Sequence, residues 1–503
     1  MKHVLESVVN KITMYRLVMF GLLPIALLSL LLSSTGQLGL PFESLLLSYI
    51  LIVTSSYVFS QLFAWTFSTS HNSESWMITG LILFLVLPPA STPKSVLVCI
   101  AAAFIATASK YLLAYKQRHI FNPAAITLLI LGGSGLSGAL WWIGTPLLLP
   151  AVSIVGLVIV AKTRRYTMVG TFLAVAIITS LVVSLLQQYS IEETLKTAIV
   201  SGPIIFFASV MLTEPLTSPT TRKWQLVFAT IVGIWYGGNF FTGDFAWLST
   251  PAAALIIGNL FAFAVGTKKA IRLKIDDVRE IGPNIHEVVT TPLVPFSFSP
   301  GQYLELSLPH KKQDQKGMRR IFSIASAPGE STVRFGITHG NTMSSFKKAL
   351  LESKGKTIRT TLLGGDFLLP DDPQAPLLFM AGGIGITPFR SMLADLSLRA
   401  EKRDIVLFYG ANTIDSIVFQ DVLDQAEKTS GLTVIPILAS PPEGWRGETG
   451  FVRTTLLARY APDFRERTIF ISGPPVMVDT LKKDLKHMGV SRKQIITDHF
   501  SGY

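Results

Sequence analysis

Only one cysteine, Cys99, occurs in 503 residues. That excludes an intramolecular disulfide, and it leaves no cysteine-ligated iron–sulfur cluster or Cys-rich zinc site to be built from this chain alone. Cys99 lies in an apolar run and reads as a packing residue. Charge is equally scarce: 15% of residues are charged against 49% hydrophobic, and mean hydropathy is +0.47. This is far too apolar for a water-soluble protein. Histidine is sparse in the first half, where only His3, His71 and His119 precede residue 268. Stacked haems need paired axial histidines, so a haem-bearing membrane domain is disfavoured and no haem is expected. No small-residue cleavage site follows Lys2, Lys11 and Arg16, so the first apolar run is expected to stay in the protein as a span.

What the chain does contain is two regimes that meet near residue 267. Before it, apolar runs follow one another with few charges; after it come most of the charges, glycine-rich turns and alternating strand patterns. A bilayer-crossing helix takes roughly 20 apolar residues. On that measure spans are expected at 15–33, 44–66, 76–90, 94–115, 121–140, 141–161, 167–188, 197–213, 224–242 and 247–266, about ten helices. Lys110, Lys116 and Arg118, then Lys162, Arg164 and Arg165, then Arg222 and Lys223, then Lys268 and Lys269 all fall on the side of the N-terminus. By the positive-inside rule that side is cytoplasmic. The expectation is a multi-pass protein of the cytoplasmic (inner) membrane, with the N-terminus and the C-terminal half in the cytoplasm. The formal charge of +12 is accounted for by topology, and no nucleic-acid partner is expected.

The membrane half repeats itself. Gly80 opens a run ending in Pro88-Pro89-Ala90-Ser91-Thr92-Pro93, and Asn122-Pro123-Ala124-Ala125 follows. Gly202 opens a run ending in Glu214-Pro215-Leu216-Thr217-Ser218-Pro219, and Thr250-Pro251-Ala252-Ala253 follows. Copies five spans apart would be inverted, and Pro- and Gly-broken helices in inverted repeats place a ligand or ion site near the midplane. The alternative is that these residues only terminate helices. Glu214 and Asp244 are the conspicuous acids, expected at span ends and solvated. Phe121-Asn122-Pro123-Ala124-Ala125, the stretch from Ser201-Gly202 to Ser218-Pro219, and the small-residue helix from Pro251 to Asn259 resemble the D subunit of the Rnf complex and the B subunit of the sodium-translocating NADH:quinone oxidoreductase. That family carries FMN on a threonine of a Ser-Gly-Ala-Thr-like loop. Here the nearest string is Ser137-Gly138-Ala139-Leu140, so no covalent FMN is expected there. A non-covalent FMN or a quinone stays open.

The second half reads as two domains. From Ile271 to about Pro370 the pattern alternates between turns, as in a small antiparallel barrel. After Pro376 a buried strand, Leu377 to Met380, leads through a glycine turn to a helix, the start of a parallel α/β domain. Arg320-Ile321-Phe322-Ser323 brings together an arginine able to pair with a phosphate, an aromatic and a hydroxyl. Gly340-Asn341-Thr342-Met343-Ser344-Ser345 opens a helix whose backbone N–H groups could meet a pyrophosphate; an ordinary capped helix has the same pattern. Gly382-Gly383-Ile384-Gly385-Ile386-Thr387-Pro388 follows the strand and lets backbone approach a dinucleotide. Tyr409-Gly410-Ala411-Asn412 and Ser472-Gly473-Pro474-Pro475-Val476-Met477 follow later strands. Together, in this order, these motifs resemble the ferredoxin–NADP⁺ reductase superfamily.

The resemblance implies FAD held by Arg320, Phe322, Ser323, Gly340, Ser344 and Ser345. It implies NADH or NADPH held by Gly382, Gly383, Gly385, Thr387, Pro388, Gly473 and Pro474. The superfamily has cysteine where Ser472 stands. At the end of the chain Asp498 and Phe500 are expected near the flavin, and Ser323, Ser472 and Asp498 are the candidate catalytic residues. No metal site is expected. The expected domains are 1–267, an Rnf/Nqr-like membrane domain; 268–372, an FAD-binding β-barrel; and 373–503, an NAD(P)-binding α/β domain. The expected activity moves electrons from NAD(P)H through FAD to a quinone, a flavin or a partner carrier or subunit, across the membrane or coupled to ion transport. Two alternatives stay open: a transporter or channel with a redox-sensing reductase domain, and a membrane-anchored ferredoxin or flavodoxin reductase. Asp415, where a 2′-phosphate would want cations, leans toward NADH.

Overall fold

The structure, a computed structural model, describes residues 12–67, 74–115, 118–266, 271–310, 318–340 and 343–498. The chain divides into two compact units, one up to residue 268 and one from 269; each is described by itself.

The first unit is helical: α1 Met14–Ser34, α2 Phe42–Thr66, α3 Ser75–Val86, α4 Pro93–Leu112, α5 Pro123–Gly133, α6 Leu149–Thr163, α7 Tyr166–Leu186, α8 Ile191–Ile199, α9 Arg222–Gly238 and α10 Pro251–Val265. Beyond α8 a short turn, Ile204–Phe206, continues as a π-helical turn, Phe207–Met211. Every expected span contains a helix, but ten uniform spans do not form. Among the described residues only α1, α2, α4 and α7 are long and apolar enough to cross a bilayer, or six spans if each of two bent pairs counts as one. A helix of 12 residues such as α3 reaches about 18 Å, against a core of about 30 Å.

Proline and glycine explain the shortfall. Pro88 and Pro89 have no N–H to offer, so α3 stops at Val86 and leaves carbonyls open. An irregular stretch that had been expected to be helical supplies the donors. Leu140 N and Trp141 N reach Val86 O at 2.9 and 3.0 Å, Ile143 N reaches Leu85 O at 3.2 Å, and Trp142 Nε1 reaches Leu87 O at 3.0 Å. Non-helical backbone is tolerable in an apolar unit only when it is satisfied in this way. Gly144 packs so closely on the second break that an added Cβ would lie 2.7 Å from the carbonyl carbon of Gly202. Asn122 and Thr250 each cap the helix that follows, accepting from Ala125 N at 3.1 Å and Ala253 N at 3.3 Å, with proline at the first helical position. That pairing explains why Asn/Thr-Pro-Ala-Ala recurs.

α1 packs on α3, α2 on α4 and α4 on α5; α6 packs on the turn 204–211, α7 on α9 and α9 on α10. A polar seam ties the two sets. Asn122 N donates to Asn259 Oδ1 (2.8 Å), Asn122 Nδ2 and Thr217 Oγ1 each donate to Glu214 Oε2 (2.9 Å), and Asn259 Nδ2 donates to Thr217 O (2.9 Å). His119 Nε2 lies 3.3 Å from Glu214 Oε1. Glu214 is therefore no solvated end-of-span acid: its side chain is 17% exposed and its oxygens are taken by donors. Asp244 is exposed, as its place at a span end led one to expect.

The second unit has two sheets. Strands β1 Arg272–Gly282, β2 Ile285–Pro292, β3 Tyr303–Ser307, β4 Arg319–Ser323, β5 Val333–Thr338 and β6 Thr357–Gly364 form an antiparallel sheet in the order β4-β3-β6-β1-β2-β5. A bond from Ala325 N to Arg334 O (2.8 Å) links the chain after β4 to β5 and curls the sheet. A short helix, α11 Ser345–Leu351, closes its core with Phe346 and Leu350. The parallel sheet follows: β7 Leu377–Gly382, β8 Ile405–Ala411, β9 Leu432–Leu438, β10 Glu448–Thr449, β11 Thr468–Ser472 and β12 Ile495–Asp498, in the order β10-β9-β8-β7-β11-β12. Helices α12 Thr387–Leu398, α13 Gln420–Thr429 and α14 Pro475–His487 cover it. Every residue of β7 is buried, as a central strand packed on both faces requires.

Candidate functional site

Chain order and sheet order disagree at one place, and that place locates the site. β8 is added on one side of β7 and β11 on the other, so the carboxyl ends of β7 and β11 flank the switch point of the sheet, where open α/β sheets bind ligands. Both ends are glycine turns. Gly383 has φ +54° and open space where a Cβ would stand, the conformation and the clearance of a cradle. Gly385 is the reverse case: an added Cβ would lie 2.4 Å from Ser472 O and 2.7 Å from Gly473 Cα. The two turns thus meet backbone to backbone. An added Cβ at Gly382 would meet Met477 Sδ at 2.6 Å and Pro474 Cδ at 3.1 Å. Thr387 and Pro388 begin α12, with Thr387 Oγ1 donating to Ile384 O (3.0 Å).

The antiparallel sheet reaches the same place. Ser323, the last residue of β4, donates from Oγ to Asp498 Oδ2 at 3.1 Å. Asp498 ends β12 and pairs in register with Ser472. The three candidate catalytic residues, 26 or more positions apart in sequence, are thereby gathered at one seam, all under 9% exposed. Burial raises the Asp498 carboxyl to about 7, and the bond from Ser323 pulls in the opposite direction. Desolvation outweighs the single hydrogen bond, so the neutral form of the acid is favoured.

Arg320 is 3% exposed, donates from Nη1 to Arg319 O (2.7 Å), and lies 5.3 Å over the ring of Phe346. Phe322, two residues on and so on the same face of β4, stacks on Phe346 at 6.1 Å. Ser344 caps α11, accepting from Lys347 N at 3.3 Å. Gly340 has open space at its Cβ position. One participant was not foreseen: His310 accepts or donates at Nε2 with Ser345 Oγ (2.9 Å), while its Nδ1 sits 2.9 Å from Leu308 O. A carbonyl can only accept, so Nδ1 carries a proton and Nε2 is the atom that meets Ser345. An isolated histidine after a proline gives no sequence signal for this. Phe500 lies outside the described residues, as do Asn341 and Thr342.

These donors fit a flavin and a nicotinamide dinucleotide. A buried guanidinium with two serines suits a pyrophosphate, Ser323 with Asp498 gives a hydroxyl backed by a protonatable acid, and Gly383 is a cradle that a Cβ would fill. The guanidinium should carry much of the anchoring. We expect Arg320→Leu to weaken flavin retention by roughly ten- to a hundredfold, the worth of a charge-assisted pair. Absorbance at the flavin band after gel filtration, compared with wild type at equal protein, checks it.

In the first unit, Thr217 is 3% exposed and donates to Glu214. Among the described residues no cluster of three or more His, Cys, Asp or Glu could hold a metal.

Residues 379–483 match the oxidoreductase NAD-binding domain family. The reductase component of propane 2-monooxygenase from Rhodococcus jostii is 29% identical over 248 residues, covering 45% of this chain and 64% of that protein. The CDP-6-deoxy-L-threo-D-glycero-4-hexulose-3-dehydrase reductase of Yersinia pestis is 25% identical over 240 residues, covering 46% and 69%. Among solved structures, an Amycolatopsis cytochrome P450 reductase superimposes with a TM-score of 0.41 at 22% identity, over 46% of this chain and 70% of that one. The chain thus spans about two thirds of the length of the relatives it matches. The family match and the two reductase relatives support an NAD-binding oxidoreductase domain of the reductase type in the C-terminal unit.

Proposed function

We propose that the whole chain is a membrane-bound NAD(P)H-dependent flavin oxidoreductase that takes electrons from NAD(P)H through FAD and passes them to an acceptor in or at the membrane. The observation that carries this is the meeting of Ser323, Asp498 and the Gly385–Ser472 seam at the switch point of the parallel sheet. Bound there, a flavin would accept a hydride and give up its electrons one at a time.

The chain's own part is placement and proton handling. Arg320 and the α11 serines would hold phosphates; the turns at 382–385 and 472–474 would fix the nicotinamide end of the dinucleotide. Ser323 Oγ is placed to pass a proton to or from Asp498, whose carboxyl can hold it below about pH 7. Asp415, exposed after β8, disfavours a 2′-phosphate and supports NADH. The membrane reading is supported by four long apolar helices and by the resemblance of residues 15–266 to the Rnf and sodium-translocating oxidoreductase subunits. It implies an inner-membrane protein with the reductase in the cytoplasm, and a quinone, a non-covalent FMN or a partner subunit as acceptor, with ion transport as a further step.

The test is cofactor analysis and rapid mixing of the detergent-purified full chain. We expect acid-releasable FAD, bleached by NADH faster than by NADPH, and turnover that rises when a quinone is supplied in proteoliposomes. Purified protein that retains no flavin, or flavin bleached by neither nucleotide, would defeat the reading. A sodium or proton flux in the same vesicles on NADH addition reports ion coupling.

A further inference from the structure

Two residues of α12 reach across to the chain that carries Ser323. α12 starts at Thr387, directly after the glycine turn, and Arg390 and Ser391 lie one turn in. Arg390 is 4% exposed and Ser391 is fully buried. Arg390 Nη1 donates to Ala325 O at 3.0 Å, and Ser391 Oγ donates to Ser326 O at 2.6 Å. Ala325 and Ser326 are the second and third residues after Ser323, in a stretch buried from 322 to 327. Two successive carbonyls of the chain leaving β4 are therefore held by two successive residues of the helix that leaves the dinucleotide cradle. Arg390 also pairs with Glu330, whose Oε1 accepts from Ala327 N at 2.8 Å and whose Oε2 lies 3.5 Å from Arg334 Nε. Glu330 thus neutralises the buried guanidinium and ties it to the turn that follows Ser326. Burying an ion pair adds little stability over well-packed apolar side chains. What a guanidinium adds is direction, because its planar fork bonds only along fixed lines.

A distance depends on these bonds. Arg320, Phe322 and Ser323 stand on β4 of the antiparallel sheet, whereas the dinucleotide cradle stands on the turns that end β7 and β11 of the parallel one. Packing brings the two sheets close: at Gly336 on β5 an added Cβ would lie 2.6 Å from both Ile384 Cδ1 and Thr387 Cγ2. Apolar contact of that kind is not directional, so it limits approach without fixing register. Transfer between two rings needs reacting atoms about 3 to 3.5 Å apart, and only directional bonds between the sheets can hold such a gap.

We propose that Arg390, seated on Glu330, and Ser391 are positioning residues that set the separation of the flavin from the nicotinamide. The proposal rests on the flavin and NAD(P)H reading of this site. In the reaction they serve, a C–H bond of the dihydronicotinamide breaks and its hydrogen passes with both electrons to the flavin, so that NAD(P)H is oxidised and the flavin reduced. Neither side chain exchanges a proton or an electron; both act through the backbone they hold.

The test compares the detergent-purified full chain with three variants: Arg390→Met joined to Glu330→Gln, Arg390→Lys, and Ser391→Ala. The double variant removes both charges of the pair together, and Ser391→Ala removes one hydrogen bond and almost no bulk, so it decides the matter if the double variant does not fold. Four quantities are read: flavin-to-protein ratio, thermal midpoint, reduction rate against NADH concentration, and the long-wavelength charge-transfer absorbance formed when reduced protein meets NAD⁺ without oxygen. The last reports contact between the rings with no turnover. A displacement of about 1 Å costs on the order of a hundredfold in rate. For about half of that we expect the limiting rate to fall about tenfold in the double variant and about threefold in Ser391→Ala, with flavin content and the NADH concentration for half-maximal rate within about twofold of wild type. The charge-transfer band should weaken in the same order, and Arg390→Lys, which keeps the charge but not the fork, should fall between wild type and the double variant. Wild-type limiting rates and band in Ser391→Ala and in a folded double variant overturn the proposal. A slower rate with a full band per bound flavin, or one that only tracks loss of flavin or of thermal midpoint, also overturns it, because the two side chains are then structural. A wild-type chain without flavin, or with flavin that neither nucleotide reduces, removes the flavin reading itself and the proposal with it.

Discussion

Gly385→Ala should lose NAD(P)H-dependent flavin reduction by about a hundredfold or more while keeping its flavin. The added methyl would sit 2.4 Å from Ser472 O, 2.6 Å from Ser472 C and 2.7 Å from Gly473 Cα. All three are backbone atoms and none can rotate away, so the turns at the ends of β7 and β11 must part. A shift of about 1 Å at a reacting centre costs on the order of a hundredfold in rate. Arg320, Ser344 and Ser345 stand on other elements, so flavin content should be unchanged. Stopped-flow reduction at saturating NADH, beside flavin-to-protein ratio, decides it. Reduction at the wild-type rate would mean that the Gly385–Ser472 contact does not set the position of the nicotinamide. Gly383→Ala makes a useful comparison: its methyl enters open space but at φ +54°, so its effect would come from backbone strain and from crowding of the ligand.

Much of this site could be read before the fold was known, and the reason is local. A glycine turn after an apolar strand, or an arginine two positions before an aromatic on one strand face, is a short-range pattern whose chemistry is carried by adjacent residues. What could not be read is contact between distant segments. Nothing in the strings around 323 and 498 says that their side chains bond, because the bond is made by the curl of one sheet and the last strand of another. Nor does anything in the sequence announce His310, whose role depends on the proton that the carbonyl of Leu308 holds at Nδ1.

In the first unit, apolar runs gave the positions of helices but overstated their lengths. Hydropathy counts Leu140, Trp141 and Ile143 as span residues, yet their backbone serves the carbonyls that Pro88 and Pro89 leave open. Glu214 shows the same limit from the other side: an acid beside proline resembles a solvated span end, and only the meeting of residues 122, 217 and 259 shows it enclosed. Hydropathy is a property of one segment, and these are properties of pairs.

Asp498 gives the second large effect, and it is one of pH. With its folded carboxyl at about 7 against an ordinary value of 3.8, Asp498 holds a proton in the folded protein that the unfolded chain has released. Folding is then favoured at low pH by this group. The contribution is level below pH 3.8, falls as pH rises from there to about 7, and above that leaves a penalty on the order of 4 kcal/mol. Asp498→Asn keeps a side chain of the same shape, able to bond Ser323 Oγ, and removes the charge. Its stability should therefore vary less between pH 4 and 7, and exceed wild type at pH 8. Activity should move the other way. Above about pH 7 the ionised carboxylate can take a proton through Ser323, so turnover with a one-electron acceptor such as ferricyanide should rise with pH in wild type. In Asp498→Asn it should be flat and about a hundredfold slower, the usual worth of a positioned acid–base group. Ser323→Ala should flatten the same profile while leaving the carboxyl in place. A variant at position 498 that is more stable at high pH but retains the wild-type pH profile of turnover would show that Asp498 is a buried acid with no part in proton transfer, and that its cost in stability is offset by something other than catalysis.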